Sequence, residues 1–371
     1  MALGQRNQAI DALRGFALAG ILIINIQSFG LIAAAYSNPA AVRLDALDPL
    51  IWCVNHLLAD QRFMSIFALL FGAGLMMFSE NLENKGLPPT RFFFRRLAWL
   101  ALFGLAHAWL LWYGDILVTY AVCGAFVYHC RHRPAKTMFQ IAIGLFLIAP
   151  VLYIGNGLWE ICYVQDFAAL QAEWQPEQAL QAAEIRIWRG SWSGQIGPRM
   201  LYAAWIQTEL LLAWNFWRVS ALMLAGMGLY KTGFFEHTFG VQRWRRWALF
   251  GIPAGLFISG IGLALNFWQS WSVPVSALFG ALFNYFGSVV QAGGYCGLIL
   301  YLYHTGRATR VLSLFQKIGR SAFSNYILQS LLGTLFFYGH GLGFFMTLNR
   351  SILWLVVIGI WAVQLLLTSL W

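Results

Sequence analysis

The N-terminal part of the chain contains the run Asp11-Ala-Leu-Arg14-Gly-Phe-Ala-Leu-Ala-Gly-Ile-Leu-Ile-Ile-Asn25-Ile-Gln27, which is apolar enough to cross a bilayer yet carries charged and amide side chains. On a helix, Asp11, Arg14 and Asn25 fall within about 60° of one another. An Asp or Arg at the centre of a spanning helix costs about 2.5–3.5 kcal/mol, so such groups normally face protein or a wet cavity. Asp11 and Arg14 also fit an i,i+3 ion pair that anchors the helix at the membrane surface. The deeper Asn25 favours a polar cavity.

The composition indicates a membrane protein. Hydrophobic residues make up 60% of the 371 residues, charged residues make up 10%, and the mean hydropathy is +0.63. A soluble domain carries about 25% charged residues, so the sequence predicts an all-α polytopic membrane protein. The formal charge of +10 comes from basic residues in short loops, which is a topology signal and no footprint of a nucleic-acid partner. The five cysteines form no CxxC pair, and no metal site is expected.

Apolar runs of about 20 residues, the length that crosses a membrane, recur along the sequence and predict about ten transmembrane helices in one bundle. This single transmembrane domain covers residues 1–371, with interfacial helices at 45–60 and 201–214. Residues 159–200 form the one sizeable hydrophilic segment, for which one or two short helices are predicted. The predicted spans are 8–29, 62–79, 92–113, 115–131, 137–158, 215–231, 246–267, 278–304, 313–336 and 351–371.

Lysine and arginine residues predict the orientation of the bundle. Sixteen of them fall on loops at one face of the predicted bundle and five at the other face. Positive residues accumulate on the cytoplasmic side of membrane proteins. Both termini are therefore expected in the cytoplasm, and residues 159–200 are expected to form an extracytoplasmic loop.

A second group of polar residues lies in the predicted third span and just after it. His107 is well inside the span, and the small Gly104 beside it leaves room for a substrate or a partner helix. The alternative is a histidine satisfied by a neighbouring carbonyl or hydroxyl group. Asp115 follows a glycine at the outer end, where it caps the next helix or orients a histidine, and the pattern favours capping. Arg95 and Arg96 open the same span at its cytoplasmic end.

A third polar group lies in residues 319–330. Ser321, Asn325 and Gln329 are spaced i, i+4 and i+8, which predicts one polar stripe along a helix, with Arg320 beside it. Such a stripe lines an interior, either as hydrogen bonds between helices worth about 0.6 kcal/mol each or as the wall of a ligand site. The residues alone slightly favour the structural role.

Four motifs occur in order along nearly the whole chain: Asp11-x-x-Arg14-Gly15-x-Ala17-x-x-Gly20-Ile-Leu-x-x-Asn25-Ile, Phe67-Ala-Leu-Leu-Phe-Gly-Ala-Gly-Leu75, His107-x-x-x-x-Trp-x-Gly-Asp-Ile-Leu117 and Gly319-Arg-x-Ala-x-x-Asn-Tyr-x-x-Gln329. Together they resemble the YeiB family of bacterial inner-membrane proteins. The resemblance implies a bacterial inner-membrane location, kinship with transmembrane acyltransferases such as heparan-α-glucosaminide N-acetyltransferase, and compatibility with a homodimer.

The same resemblance suggests catalytic residues. In the heparan acetyltransferase a similar first span carries a catalytic asparagine, which corresponds to Asn25 here. The catalytic histidine of that enzyme follows shortly afterwards, whereas this chain has no histidine between Asn25 and His56. His107 is therefore our candidate for the proton-transfer role.

The leading hypothesis is an acyltransferase that moves an acyl group from cytoplasmic acyl-CoA, such as acetyl-CoA, to a hydroxyl or amine on the extracytoplasmic side. His107 is the expected general base, and Asn25, with Asn325 or Ser321, is the expected oxyanion donor. The acceptor is a small molecule, a glycan or a lipid, and membrane lipids are partners. The residues expected to bind the donor or acceptor are Asp11, Arg14, Arg95, Arg96, Asp115, Arg320, Ser321, Asn325 and Gln329.

Two other classes of function stay open at this point. A transporter or lipid-handling protein without covalent chemistry uses polar stripes and an intramembrane histidine equally well. Transporters often have two similar halves with broken helices, and the sequence shows no such halves. A structural or regulatory partner acting through residues 159–200 ranks last, and it predicts that the polar residues of the spans tolerate substitution.

Overall fold

The computed structural model describes residues 7–159 and 167–369, and these residues form helices and connecting loops without β-strands. The first helix begins at its N-cap Asn7, whose side chain accepts the backbone N–H groups of Ala9 and Ile10 at 3.0 and 3.2 Å. In chain order the α-helices are α1 (Gln8–Gly30), α2 (Ala34–Ser37), α3 (Asp48–Leu58), α4 (Arg62–Glu83), α5 (Pro89–Ala106), α6 (Leu117–Tyr128), α7 (Ala135–Trp159), α8 (Phe167–Trp174), α9 (Gln178–Trp188), α10 (Trp192–Gln207), α11 (Phe216–Lys231), α12 (Val241–Trp268), α13 (Ala281–His304), α14 (Thr309–Arg320), α15 (Ala322–Phe337) and α16 (Arg350–Ser369).

Within the described residues, seven helical segments are long and apolar enough to cross a membrane, which makes the chain an all-helical membrane protein by length and composition. The predicted spans 92–113 and 115–131 correspond to α5 with a π-helical turn after it and to the shorter apolar helix α6. The seven segments are Gln8–Gly30, Asp48–Glu83, Ala135–Trp159, Trp192–Lys231, Val241–Trp268, Ala281–His304 and Arg350–Ser369.

Helix α1 lies at the centre of the bundle. Of its most apolar window, 78% is buried inside the protein, compared with 22% for α7, α12 and α16. Helices α4, α13, α14, α15 and α16 all pack against it. Because these neighbours shield α1 from lipid, its polar side chains meet protein or a cavity, as their position in an apolar run predicts.

The prediction of one continuous span at 313–336 is wrong. Helix α14 ends at Arg320 and α15 begins at Ala322, with Ser321 between them at φ −114° and ψ 41°. With 12 and 16 residues the two helices are about 18 and 24 Å long, each shorter than a hydrocarbon core of about 30 Å. Helix α14 buries Leu312 and Ile318 and exposes its basic residues. The apolar residues continue across the break, so hydropathy alone did not reveal it.

The two segments predicted at the interface are both helical. Helix α3 occupies most of 45–60, and residues 201–214 comprise the end of α10 and most of the π-helical turn Leu211–Asn215 that leads into α11. The described part of the hydrophilic segment 159–200 carries α8, α9 and the start of α10, which confirms its short helices. Residues 160–166 of that segment lie outside the described residues.

Glycines allow α4 and α11 to approach closely. A Cβ on Gly72 would lie 1.9 Å from the carbonyl oxygen of Met223, and a Cβ on Gly226 would lie 1.9 Å from that of Leu69. Gly72 and Gly226 therefore serve close helix packing, as small residues commonly do in membrane bundles. Gly74 differs, because a Cβ there would meet only the guanidinium of Arg14, at 3.3 Å.

Candidate functional site

A cavity of about 2210 Å³ runs through the bundle beside α1. Its lining residues on α1 follow one another at intervals of four and three residues, so one face of this helix forms a wall. They are Arg14, Leu18, Ile21, Asn25 and Ser28. At 1.5 Å per residue this wall is about 21 Å long, and other walls come from α4, α5, α7, α10, α11 and α15.

One end of the cavity is basic. Arg14 Nη1 lies 3.4 Å from Asp11 Oδ1, which confirms the predicted ion pair, and the Arg14 side chain keeps 32% of its surface exposed. Arg96 lines the same end, with its Cζ 5.5 Å from the centroid of the Phe78 ring. Arg95 is exposed and does not line the cavity. The structure therefore separates two neighbouring arginines that the sequence analysis had grouped.

His107 and Asp115 form a buried pair beside the cavity. Nδ1 of His107 lies 2.9 Å from Oδ1 of Asp115, and the side chains are 2% and 0% exposed. Oδ2 of the same carboxylate accepts the backbone N–H of Val118 at 3.0 Å. Asp115 therefore caps α6 and also orients the histidine, which the sequence analysis had treated as alternatives. Because a carboxylate only accepts, Nδ1 carries the proton, and Nε2 of the neutral imidazole is left as a base.

The backbone around His107 is held by α10 and by close packing. A π-helical turn covers His107–Leu111, and the carbonyl of Leu110 accepts N–H groups of Trp192 and Arg199, each at 2.9 Å. A Cβ on Gly104 would lie 2.8 Å from the backbone nitrogen of residue 118. The space predicted beside His107 is therefore filled by the chain segment that carries its carboxylate partner. Such π-helical turns are frequent at functional sites.

At this site three buried polar atoms, one of them on His107 itself, have no hydrogen-bond partner in the described structure. They are Nε2 of His107, Nε1 of Trp112 and the hydroxyl group of Tyr326. The rings of Trp112 and Tyr326 lie 6.2 and 5.1 Å from the imidazole, and both residues line the cavity together with Asn25 and Asp115. Buried polar groups are normally hydrogen-bonded, so this cluster is a candidate for binding a polar ligand.

Sequence analysis did not select Trp112 or Tyr326 as site residues. Both residues occur in the quoted motifs, Trp112 between His107 and Asp115 and Tyr326 directly after Asn325. Their position within these motifs was the sequence signal that could have identified them. Aromatic residues are so frequent in this chain, at 17%, that type alone did not distinguish these two.

The third predicted polar group forms hydrogen bonds between helices and does not line the cavity. Asn325 Nδ2 donates to a backbone carbonyl of α14 at 3.0 Å and lies 3.3 Å from the Ser321 hydroxyl. Gln329 Nε2 donates to a carbonyl of α1 and to Gln364, both at 3.2 Å. Arg320 is exposed. The geometry of Asn325 and Gln329 matches the structural alternative.

The opposite end of the cavity is aromatic and acidic. Tyr36, Glu173 and Glu184 line it beyond the C-terminal end of α1. Glu184 Oε1 accepts the backbone N–H of Ala33 at 2.9 Å and so ties α9 to α2. Burial raises the pKa of the Glu184 carboxyl above its ordinary value.

Arg218 is a cavity residue to which the sequence analysis assigned no role. Its side chain is buried, and it lines the cavity from α11. Nη2 donates to the hydroxyls of Ser65 and Ser288 at 3.0 and 2.9 Å, and Nη1 donates to the carbonyl of Tyr285 at 2.9 Å. These acceptors are neutral, and in the described part of the chain no carboxylate oxygen lies within 4.0 Å of Arg218.

These features define the class of protein: an all-helical membrane protein with a large cavity through its bundle and a buried histidine–carboxylate pair beside it. Among the described residues no cluster of three or more His, Cys, Asp or Glu side chains is arranged to hold a metal ion.

Comparison with known proteins supplies the family. A family model described as a protein of unknown function (DUF418) matches residues 229–371. The chain is 30% identical over 372 residues to YeiB of Escherichia coli (strain K12), covering 99% of this chain and 92% of that protein. It is 28% identical over 380 residues to YxaH of Bacillus subtilis (strain 168), covering 99% of this chain and 90% of the relative. The chain belongs to the YeiB family.

Proposed function

We propose that the protein is an acyltransferase of the bacterial inner membrane, which moves an acyl group from cytoplasmic acyl-CoA to a hydroxyl or amine on the extracytoplasmic side. The observation that carries the proposal is the His107–Asp115 pair, with three unpaired polar atoms around it, beside a cavity that extends along most of α1. The excess of positive residues on one face supports a cytoplasmic position for the end of the cavity that Arg14 and Arg96 line.

The basic end of the cavity is where the donor would bind. Arg14 and Arg96 offer guanidinium groups to the phosphates of CoA, for which arginine is well suited. The pantetheine arm would then lie along the α1 wall and place the thioester near His107. Acetyl-CoA is the simplest such donor.

The transfer step follows from the tautomer of His107. Nε2 takes the proton of the acceptor hydroxyl or amine as that atom bonds to the acyl carbon. Asn25, Trp112 and Tyr326 offer N–H and O–H donors to the oxyanion that develops on the carbonyl oxygen. The carbon–sulfur bond then breaks. His107 gives the proton to the departing sulfur, so that CoA leaves as a thiol and Nε2 is again a base. His107 itself does not line the cavity, whereas the neighbouring Trp112 and Tyr326 do, so one of these rings would shift for the acceptor to reach Nε2.

Donor binding can be tested with two adjacent arginines. The protein purified in detergent is titrated with acetyl-CoA, and its thermal stability is followed, since a ligand of the folded state stabilises by RT ln(1+[L]/Kd). We expect a dose-dependent rise that Arg96→Gln and Arg14→Gln weaken. Arg95→Gln is the matched control, because Arg95 is exposed and outside the cavity. No rise in the unsubstituted protein, or equal weakening by Arg95→Gln, contradicts the proposed donor site.

A transporter or lipid-handling protein without covalent chemistry is the second candidate function. The observation in its favour is that the cavity has a basic end at Arg14 and an acidic end at Glu184, as a path across the membrane would. It predicts substrate flux in proteoliposomes without acyl-CoA, and no loss of that flux in His107→Gln.

A further inference from the structure

Part of the cavity wall is apolar and strongly exposed. Trp159, Leu201 and Trp205 line the cavity, yet 57%, 74% and 48% of their surfaces are exposed. In a membrane-spanning bundle, exposed apolar side chains contact the lipid tails. These exposed apolar side chains give the C-terminal end of α7 and α10 the surface that an opening toward the bilayer needs.

Aromatic rings connect this opening to Arg218. The rings of Tyr153 and Trp214 lie 4.8 Å apart, and those of Trp214 and Tyr285 lie 4.7 Å apart. The guanidinium carbon of Arg218 lies 4.5 Å from the centroid of the Tyr285 ring. Tyr153, Trp214 and Arg218 all line the cavity. A molecule that enters between α7 and α10 thus meets an aromatic wall and then a cation.

The charge of Arg218 calls for an anion. Burying a charge in a medium of low dielectric is costly unless an opposite charge is close. Arg350, another buried arginine, has the carboxylate of Asp48 as its partner, whereas the acceptors around Arg218 are two serine hydroxyls and a carbonyl. Because Arg218 faces the cavity, a ligand anion can provide the missing charge.

The depth of Arg218 fits a lipid head group. Arg218 precedes Lys231, the last residue of α11, by 13 residues, or about 20 Å along the helix. If Lys231 lies at one surface of a hydrocarbon core of about 30 Å, Arg218 lies in the opposite leaflet. Its depth below the surface of that leaflet is then about 10 Å. A head group that bends into the opening reaches this depth while its tails stay in the bilayer.

We propose that Arg218 binds the phosphate of an anionic phospholipid, which reaches the cavity through the opening between α7 and α10. Phosphate is the chemistry that Arg218 selects, and the apolar opening makes a lipid its source. This binding is independent of acyl transfer. Only the further step, in which the bound lipid is the acyl acceptor, rests on the proposed function.

Native mass spectrometry in the absence of acyl-CoA tests this site. The purified protein is exposed to equimolar dioleoylphosphatidylglycerol and dioleoylphosphatidylcholine, and the bound lipids are counted. We expect about a tenfold preference for phosphatidylglycerol, which corresponds to 1.4 kcal/mol. Arg218→Gln should abolish the preference, because glutamine is polar but carries no charge. Arg95→Gln, at an exposed arginine, should retain it.

Two further arms decide between sources and guard against misfolding. Glycerol 3-phosphate is added in a thermal-stability assay, and we expect no stabilisation that depends on Arg218. If Arg218→Gln does not fold, Arg218→Lys and Leu201→Trp replace it: the first should keep the preference and the second, which narrows the opening, should reduce phosphatidylglycerol binding. A preference that survives Arg218→Gln or Leu201→Trp, or an Arg218-dependent response to glycerol 3-phosphate, overturns the proposal. Since no acyl donor is present, failure of acyl transfer does not affect the result.

Discussion

Arg62 and Arg218 are buried guanidinium groups on two helices that pack together, α4 and α11, and they differ in what surrounds them. Arg62 does not line the cavity, and its hydrogen bonds join three parts of the chain. It donates to the side chains of Ser259, Asn284 and Gln291 and to the carbonyls of His56 and Asp60. Asn284 in turn donates to the carboxylate of Asp60 at 2.7 Å. Arg218 has three hydrogen bonds, all of them to neutral oxygen atoms, and it lines the cavity.

The difference shows that a polar residue in a spanning helix has two fates. A closed network, such as that of Arg62, satisfies its members within the protein and holds helices together. An open group, such as Arg218 or Nε2 of His107, keeps bonding capacity toward the cavity and is available to a ligand. Residue type does not separate the two fates, since arginine occurs in both.

Removal of Arg62 should have the largest effect on stability. Arg62→Ala leaves two buried amide side chains, a serine hydroxyl and two backbone carbonyls without their donor, and breaking a buried charged network costs about 3–5 kcal/mol. Arg218→Ala should cost clearly less, because it removes three hydrogen bonds where Arg62→Ala removes five. Unfolding in detergent, followed by circular dichroism during a denaturant titration, measures both. Equal losses in the free energy of unfolding would contradict the distinction between a closed network around Arg62 and an open group at Arg218.

Substitution of His107 should abolish chemistry and leave the fold intact. His107→Gln removes the base, and we expect transfer from acetyl-CoA, measured as release of the CoA thiol, to fall by about 10²–10⁴. Asp115→Asn should also slow transfer, because the histidine loses its orienting carboxylate, while its amide oxygen still caps α6. The exposed His129 supplies the control His129→Gln. Thiol release that continues at the normal rate in His107→Gln would exclude the histidine from catalysis.

Gly72 and Gly74 extend the comparison to packing. Gly72→Ala places a methyl group against a backbone carbonyl of α11, and overpacking of this kind costs about 1–3 kcal/mol. Gly74→Ala meets only the movable end of Arg14. We therefore expect a fall in melting temperature for Gly72→Ala, and for Gly74→Ala a changed response to acetyl-CoA with little change in melting temperature. A larger fall in melting temperature for Gly74→Ala than for Gly72→Ala would contradict the assignment of Gly72 to the packed face of α4 and of Gly74 to the face that lines the cavity.

The Gln329 network should contribute little and only to stability. Gln329→Ala removes hydrogen bonds to α1 and to Gln364, and such bonds in membrane bundles are worth about 0.6 kcal/mol each. Thermal melts should therefore show a small loss, and acetyl-CoA should stabilise the variant as much as the unsubstituted protein. A variant that is as stable as the unsubstituted protein but is not stabilised by acetyl-CoA would indicate that Gln329 belongs to the binding site.

Glu184 should give the smallest effect, visible in the pH dependence of stability. Burial raises its pKa from 4.5, so the folded protein holds this proton more tightly than the unfolded chain. Its contribution to stability is therefore lost as the pH rises from 4.5 through the raised pKa. Glu184→Gln keeps an oxygen for the N–H of Ala33 and should raise the melting temperature above that range while leaving it unchanged below pH 4. A variant with an unchanged pH profile would mean that the carboxyl is solvated.

The candidate site was partly readable from the sequence. The motifs selected His107, Asp115 and Asn25, and the structure places all three at or beside one cavity. The roles of the two arginines at 95 and 96 were not separable, because adjacent residues on a helix point in directions about 100° apart and only the neighbouring helices decide which of these faces the cavity.

The sequence by itself determined that the chain is a helical membrane protein and that the polar side chains of α1 face protein or a cavity, because hydropathy and the helical period are local properties of a run such as 8–29. Only the tertiary structure decided that the helix breaks at Ser321, that Gln329 bonds to neighbouring helices and lies away from the cavity, and that Arg218 lines the cavity. These outcomes depend on partners far away in the chain, such as Ser288 for Arg218 and Gln364 for Gln329. A charged residue in a spanning helix can therefore be recognised from the sequence, whereas its hydrogen-bond partners are determined by helix packing.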